Sequence, residues 1–99
     1  MQIMVDGMAV EYMDLGENTG RVRTVLFLHG WGAPTSVYAP ILNHLAKTRR
    51  VVAPNMPGVG QTAEPQAPWD AADYVRFILS FCCALNLRAV TLIDRKSVV

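Results

Sequence analysis

The run Val25-Leu26-Phe27-Leu28, followed at once by His29-Gly30-Trp31-Gly32, restricts this chain more than any other stretch. Consecutive apolar residues rich in strand formers predict a strand buried on both faces. The two glycines that follow let the backbone turn sharply and leave its N–H groups unshielded by side chains. A buried strand that delivers bare N–H groups into a loop is suited to hold an anion or a developing oxyanion.

With 99 residues the chain is one domain near the lower end of the usual size range. Its hydrophobic share of 52% exceeds what so short a chain readily hides, which predicts that part of the folded unit lies outside it. A net charge of +1 favours neither nucleic acid nor an anionic membrane as partner. The neighbouring Cys82 and Cys83 form no disulfide framework and read as small core hydrophobes in a reducing compartment. The stretch Met1-Gln2-Ile3-Met4-Val5-Asp6-Gly7 lacks the basic and apolar regions of a signal peptide, and no segment reaches membrane-spanning length. A cytoplasmic protein without metal or other cofactor is therefore expected.

Asp6-Gly7 between two extended segments, 3–5 and 8–13, predicts a hairpin, because both positions tolerate positive φ. After the glycines, Thr35 or Ser36 is expected to cap a helix whose apolar positions are Tyr38, Ile41, Leu42, Leu45 and Ala46. Pro40 sits near its first turn, and Lys47, Arg49 and Arg50 crowd its end. Residues 51–53 predict a second short buried strand. A second helix is signalled more strongly: Asp70 caps it, Asp73 completes a capping box, and Trp69 and Tyr74 form a hydrophobic staple. Its expected apolar face is Tyr74, Val75, Phe77, Ile78, Phe81, Cys82 and Leu85, and Asn86 suits its end. Residues 89–93 predict a third buried strand. Strands alternating with helices after a leading hairpin specify an α/β fold with a mostly parallel sheet.

Three chemistries use glycines in such a place. A dinucleotide fingerprint fails, because Thr35 stands where its third glycine belongs and no acid follows Ala53-Pro54-Asn55. A phosphate loop at Asn55 to Thr62 fails too: asparagine replaces its first glycine, Gln61 its lysine, and Pro65 and Pro68 follow where a helix should start. The oxyanion loop survives. Together with Pro57-Gly58-x-Gly60-x-Thr62, the stretch His29-Gly30-Trp31-Gly32 resembles the esterase-like branch of the α/β-hydrolase superfamily, and the likeness runs from about Met8 to Ile93. The resemblance implies that the Trp31 backbone N–H is one oxyanion donor, while His29, Gly30 and Gly32 shape the loop. It also implies that Asn55, Pro57, Gly58, Gly60 and Thr62 form a structural turn beneath the site, with Asn55 and Thr62 standing where the family has aspartate and serine. His29 is expected as a shielded turn residue, since the family's catalytic histidine lies far downstream. His44 is expected at the surface or in packing, Tyr38 and Trp69 in packing. Asp14, Glu17, Glu64, Asp70 and Asp73 show no paired arrangement suited to acid–base work.

The family places a Gly-x-Ser-x-Gly elbow directly after the strand that here ends at Ile93. This chain instead reads Asp94-Arg95-Lys96-Ser97-Val98-Val99. Ser97 is one residue late and flanked by Lys96 and Val98, so it is not expected to act as a nucleophile. Residues 1–93 thus read as a partial α/β-hydrolase domain and 94–99 as a non-native tail, expected from a frameshift or from read-through of a common sequencing adapter, whose in-frame translation the six residues resemble. The implied parent is a serine hydrolase acting on a small-molecule ester or acyl substrate, with this chain inactive for want of nucleophile, acid and base. The same half-fold serves haloalkane, epoxide and carbon–carbon bond hydrolases. A non-catalytic α/β binding or interaction module is the alternative, and a small nucleotide-binding domain a weaker one. Without a further strand beside it, residues 89–93 should leave an open sheet edge and a tendency to aggregate.

Overall fold

A computed structural model describes residues 1–17, 22–29, 34–65, 67–87 and 89–94. Along the chain lie β1 (Gln2–Val5), β2 (Met8–Leu15), β3 (Thr24–Leu28), a 3-10 turn (Thr35–Tyr38), α1 (Ala39–Leu45), β4 (Val51–Pro54), α2 (Ala71–Ala84) and β5 (Val90–Asp94). The strands form one sheet in the order β1-β2-β4-β3-β5. Asp6 and Gly7, at φ 48° and 81°, make the tight turn that joins β1 and β2 as an antiparallel hairpin. The β2 strand runs antiparallel to β4, whereas β4 and β5 both run parallel to β3. The sheet is therefore mixed, an antiparallel hairpin leading into a parallel core.

Every residue of β3 and β4 is buried. Their side chains alternate between two apolar layers, as the two-residue period of a strand requires. Leu26, Leu28 and Val52 join Val5, Val10 and Tyr12 beneath Phe77 and Phe81 of α2. Val25, Phe27, Val51 and Ala53 pack with Leu42 of α1 in the other layer. Helices in both layers explain why these strands are apolar at consecutive positions.

The α2 helix keeps the ends its sequence specifies. The Asp70 side chain accepts the Asp73 N–H at 2.9 Å, and the Asp73 carboxylate accepts the Asp70 N–H at 3.0 Å. Trp69 and Tyr74 meet edge to face at 5.2 Å between ring centres. At the far end Asn86 takes φ 56°, and the N–H groups of Leu87 and Asn86 reach back to the carbonyls of Cys82 (2.8 Å) and Cys83 (3.0 Å). That is a Schellman closure.

Six expectations need correction. Val75 is 56% exposed, because two residues of helical rotation place it opposite Phe77. Cys83 is exposed as well, and only Cys82 touches the core. The first helix opens as a 3-10 turn without a side-chain cap, since Thr35 is buried and bonds elsewhere; Ile41, on α1 itself, is 59% exposed. Arg50 does not serve a helix end: its Nε and Nη2 donate to the Asp14 carboxylate at 2.9 and 2.7 Å, beside the β2–β4 pairing. Finally, β5 is no buried strand. Thr91, Leu92 and Ile93 are exposed, because β5 pairs only with β3 among the described residues, and of its apolar residues only Val90 packs against the layer that holds Phe77 and Phe81. Asp94 closes β5 opposite Leu28, and the remainder of the expected tail, 95–99, lies outside the described residues. No helix among the described residues is long and apolar enough to cross a membrane.

Candidate functional site

Parallel strands end on a common edge of their sheet, and the crevice beyond those carboxyl ends is where α/β proteins hold ligands. Leu28, the last residue of β3, pairs with Asp94, the last of β5, and β4 ends alongside at Pro54. His29 and Asn55, the residues that follow β3 and β4, therefore leave the sheet at the same edge.

His29 is only 7% exposed, and its Nε2 accepts the backbone N–H of Met56 at 2.9 Å. An accepting Nε2 places the ring hydrogen on Nδ1 and engages the lone pair that a general base would use. Asn55, one residue before Met56, is buried and makes five hydrogen bonds to described residues. Its Oδ1 accepts both the backbone N–H of Thr35 (2.8 Å) and the Thr35 hydroxyl (3.0 Å). Its Nδ2 donates to Glu11 Oε1 at 2.6 Å. Its backbone N–H donates to the Glu11 carbonyl at 2.8 Å, and its own carbonyl accepts the Thr62 hydroxyl at 2.9 Å. Thr62 Oγ1 in turn accepts the Glu11 N–H at 2.9 Å.

The turn between Asn55 and Thr62 is shaped to permit this. Pro57 is buried, and Gly58 donates to the Ala63 carbonyl at 3.1 Å. Gly60 takes φ +56°, and a Cβ there would stand 2.6 Å from Asn55 Nδ2 and 2.7 Å from Glu11 Oε1. The carboxylate of Glu11 also takes the Gln61 N–H at 3.1 Å. No buried side-chain nitrogen or oxygen among the described residues lacks a partner.

Of the residues singled out from sequence, His29, Asn55, Pro57, Gly58, Gly60 and Thr62 thus meet at one sheet edge. Gly30, Trp31 and Gly32 lie outside the described residues, as does Ser97. His44 is exposed on α1, while Tyr38 stacks on Phe27 at 5.0 Å and Trp69 on Phe77 at 5.7 Å. Sequence reasoning missed two members of the cluster, Glu11 and Thr35. The one signal for Glu11 is indirect: a buried asparagine amide needs an acceptor for its NH2, and a carboxylate on a neighbouring strand supplies it. Among the described residues no group of three or more His, Cys, Asp or Glu is placed to hold a metal. Two surface grooves of about 410 and 440 Å³ run between the β1–β2 hairpin and α2, and none of this cluster lines them.

Residues 23–93 match the family described as alpha/beta hydrolase fold. A haloalkane dehalogenase of Mesorhizobium japonicum is 33% identical over 92 residues, which is 93% of this chain and 29% of the dehalogenase. Among solved structures, the meta-cleavage product hydrolase of Pseudomonas fluorescens superposes with a TM-score of 0.81 at 26% identity, over 93% of this chain and 34% of its own. The enol-lactonase of Burkholderia xenovorans gives 0.86 at 21% identity, over 95% and 36% respectively, a likeness of fold. The chain thus spans about a third or less of the length of these relatives.

Proposed function

This chain belongs to the α/β-hydrolase fold family, and on that premise we propose that it carries the oxyanion side of a serine hydrolase acting on carboxylic esters or similar acyl bonds of small molecules. One observation supports this most. His29 and Met56, at the carboxyl ends of adjacent parallel strands, are tied by a direct hydrogen bond, so the loop that starts at His29 departs from a fixed point on the ligand-binding edge.

In the proposed reaction the Trp31 backbone N–H donates to the oxygen of the tetrahedral intermediate as negative charge develops there. Such a donor lowers the barrier by roughly 3 kcal/mol when it is preorganised in a dry site. The attacking serine, the histidine that takes its proton and the acid that orients that histidine would come from chain beyond Ile93. His29 stays structural, because its Nε2 is already engaged. The 99-residue chain is proposed to be inactive alone.

Two measurements test this. The chain by itself should not hydrolyse p-nitrophenyl butyrate above buffer, and turnover abolished by a fluorophosphonate would overturn the inactive reading. In a protein that continues past Ile93 into a complete hydrolase, Trp31→Pro removes the donor. It should lower kcat by about 100- to 1000-fold with a far smaller change in KM. The likeness to a haloalkane dehalogenase favours a second reading, in which that longer protein cleaves a carbon–halogen bond. Halide release from 1-bromobutane without ester turnover would select it.

A further inference from the structure

We infer that Glu11, on β2, is a positioning residue for the hydrolase edge: its carboxylate orients the Asn55 amide, and through that amide it fixes Thr35 relative to His29. The purpose assigned here rests on the hydrolase reading, while the linkage itself stands on hydrogen bonds between described residues.

Two consecutive residues hold two separate stretches of chain. Met56 donates to His29, where β3 ends, and Asn55 accepts from Thr35, where the chain turns into α1. His29 and Thr35 are therefore both tied to one pair of consecutive residues at the end of β4. Asn55 holds Thr35 only with its oxygen facing that way. An amide rotated by half a turn would present its NH2 to the Thr35 N–H, donor against donor, and its oxygen to the Glu11 carboxylate, acceptor against acceptor. Glu11 selects the productive orientation by taking Nδ2 at 2.6 Å.

The pair has no room to slip. Glu11 and Asn55 are also joined by the Asn55 N–H to the Glu11 carbonyl, and through Thr62, whose hydroxyl accepts from one backbone and donates to the other. Gly60 closes the remaining side, where even a methyl group would collide with both side chains. The charge matters as well. With asparagine at 55 the site holds one carboxylate, whereas aspartate there would set two carboxylates against each other at hydrogen-bond distance.

Amide hydrogen exchange of the full chain, read by NMR, tests the linkage without any reliance on activity. It therefore succeeds or fails independently of the ester assays. Glu11→Ala should speed exchange at the Thr35 N–H by about tenfold or more, relative to the core amides of Leu26 and Val52. Glu11→Gln, which keeps an acceptor, should restore most of that protection. Asn55→Asp should lose it, and the double change Glu11→Gln with Asn55→Asp, which puts a donor opposite the new carboxylate, should regain it. The wild-type chain gives its own reading even if a variant fails to fold: one Asn55 Nδ2 proton should exchange more slowly than its partner. Equal exchange of the two protons would overturn the inference. So would a Thr35 amide that follows Leu26 and Val52 in every variant, because Glu11 would then add only general stability.

Discussion

Gly60 shows how closely one position in the candidate site is specified. Its φ of +56° already disfavours any side chain, and a Cβ would press on Asn55 Nδ2 and Glu11 Oε1. Gly60→Ala is expected to cost about 1–3 kcal/mol, seen as a lower urea midpoint with an unchanged slope. Removing the β-carbon conflict with a smaller partner, as in Glu11→Ala, should not rescue it fully, since the backbone strain persists. Glycine at 60 was legible in the sequence as part of a tight turn, but its reason was not. That reason lies in Glu11, 44 positions before Asn55 and on another strand, and no local pattern encodes a contact over such a separation. Thr35 was misread for the same cause. A hydroxyl ahead of a helix reads as a cap, and only the arrival of Asn55 claims it for another bond.

Two elements carry local signals that the structure matches. The Asp6-Gly7 hairpin and both ends of α2 are written within a few residues of where they act. The α2 cap also carries a pH signature. Asp73 is held below its ordinary carboxyl value, chiefly by the Asp70 N–H it accepts, partly opposed by desolvation, with Arg76 also helping at 3.2 Å. A carboxyl depressed in the folded state contributes stability that is present above its unfolded value of 3.8 and is lost as the pH falls through the lower folded value. Exchange at the Asp70 N–H, which the Asp73 carboxylate accepts, should therefore accelerate relative to the Phe77 and Phe81 amides on acidification below that range. In Asp73→Asn the acid-dependent step at the Asp70 amide should disappear. Strand β5 is the opposite case, because its apolar residues read as buried when their cover is not part of the described chain. The sequence pattern reports what a strand is suited to, and the sheet position reports what it receives.

At the largest scale, the described residues bury two layers against β3 and β4 and leave the β5 flank bare. Leu92 is 56% exposed on β5, whose outer edge carries unpaired ladder groups among the described residues. Such an edge recruits other strands, including those of further copies. The chain is expected to self-associate at high protein concentration. Leu92→Lys, which places a charge on that flank without touching either core layer, should shift its mass by light scattering toward the monomer. An unchanged mass would assign any association to another surface, such as the exposed Met4 and Leu79 beside the α2 grooves.

The strand order has a kinetic consequence. Between β2 and β3 in the sheet lies β4, which the chain makes only after both of them. The leading hairpin can form by itself, but it cannot join the parallel strands until β4 has entered the gap. Every bond from Asn55 to Glu11 and Thr35 waits on that insertion, as does the one from Met56 to His29. These are long-range closures, whose loop entropy must be overcome before any contact repays it. The edge that would face a substrate is thus assembled late, and a chain halted before β4 docks would have secondary structure but no site.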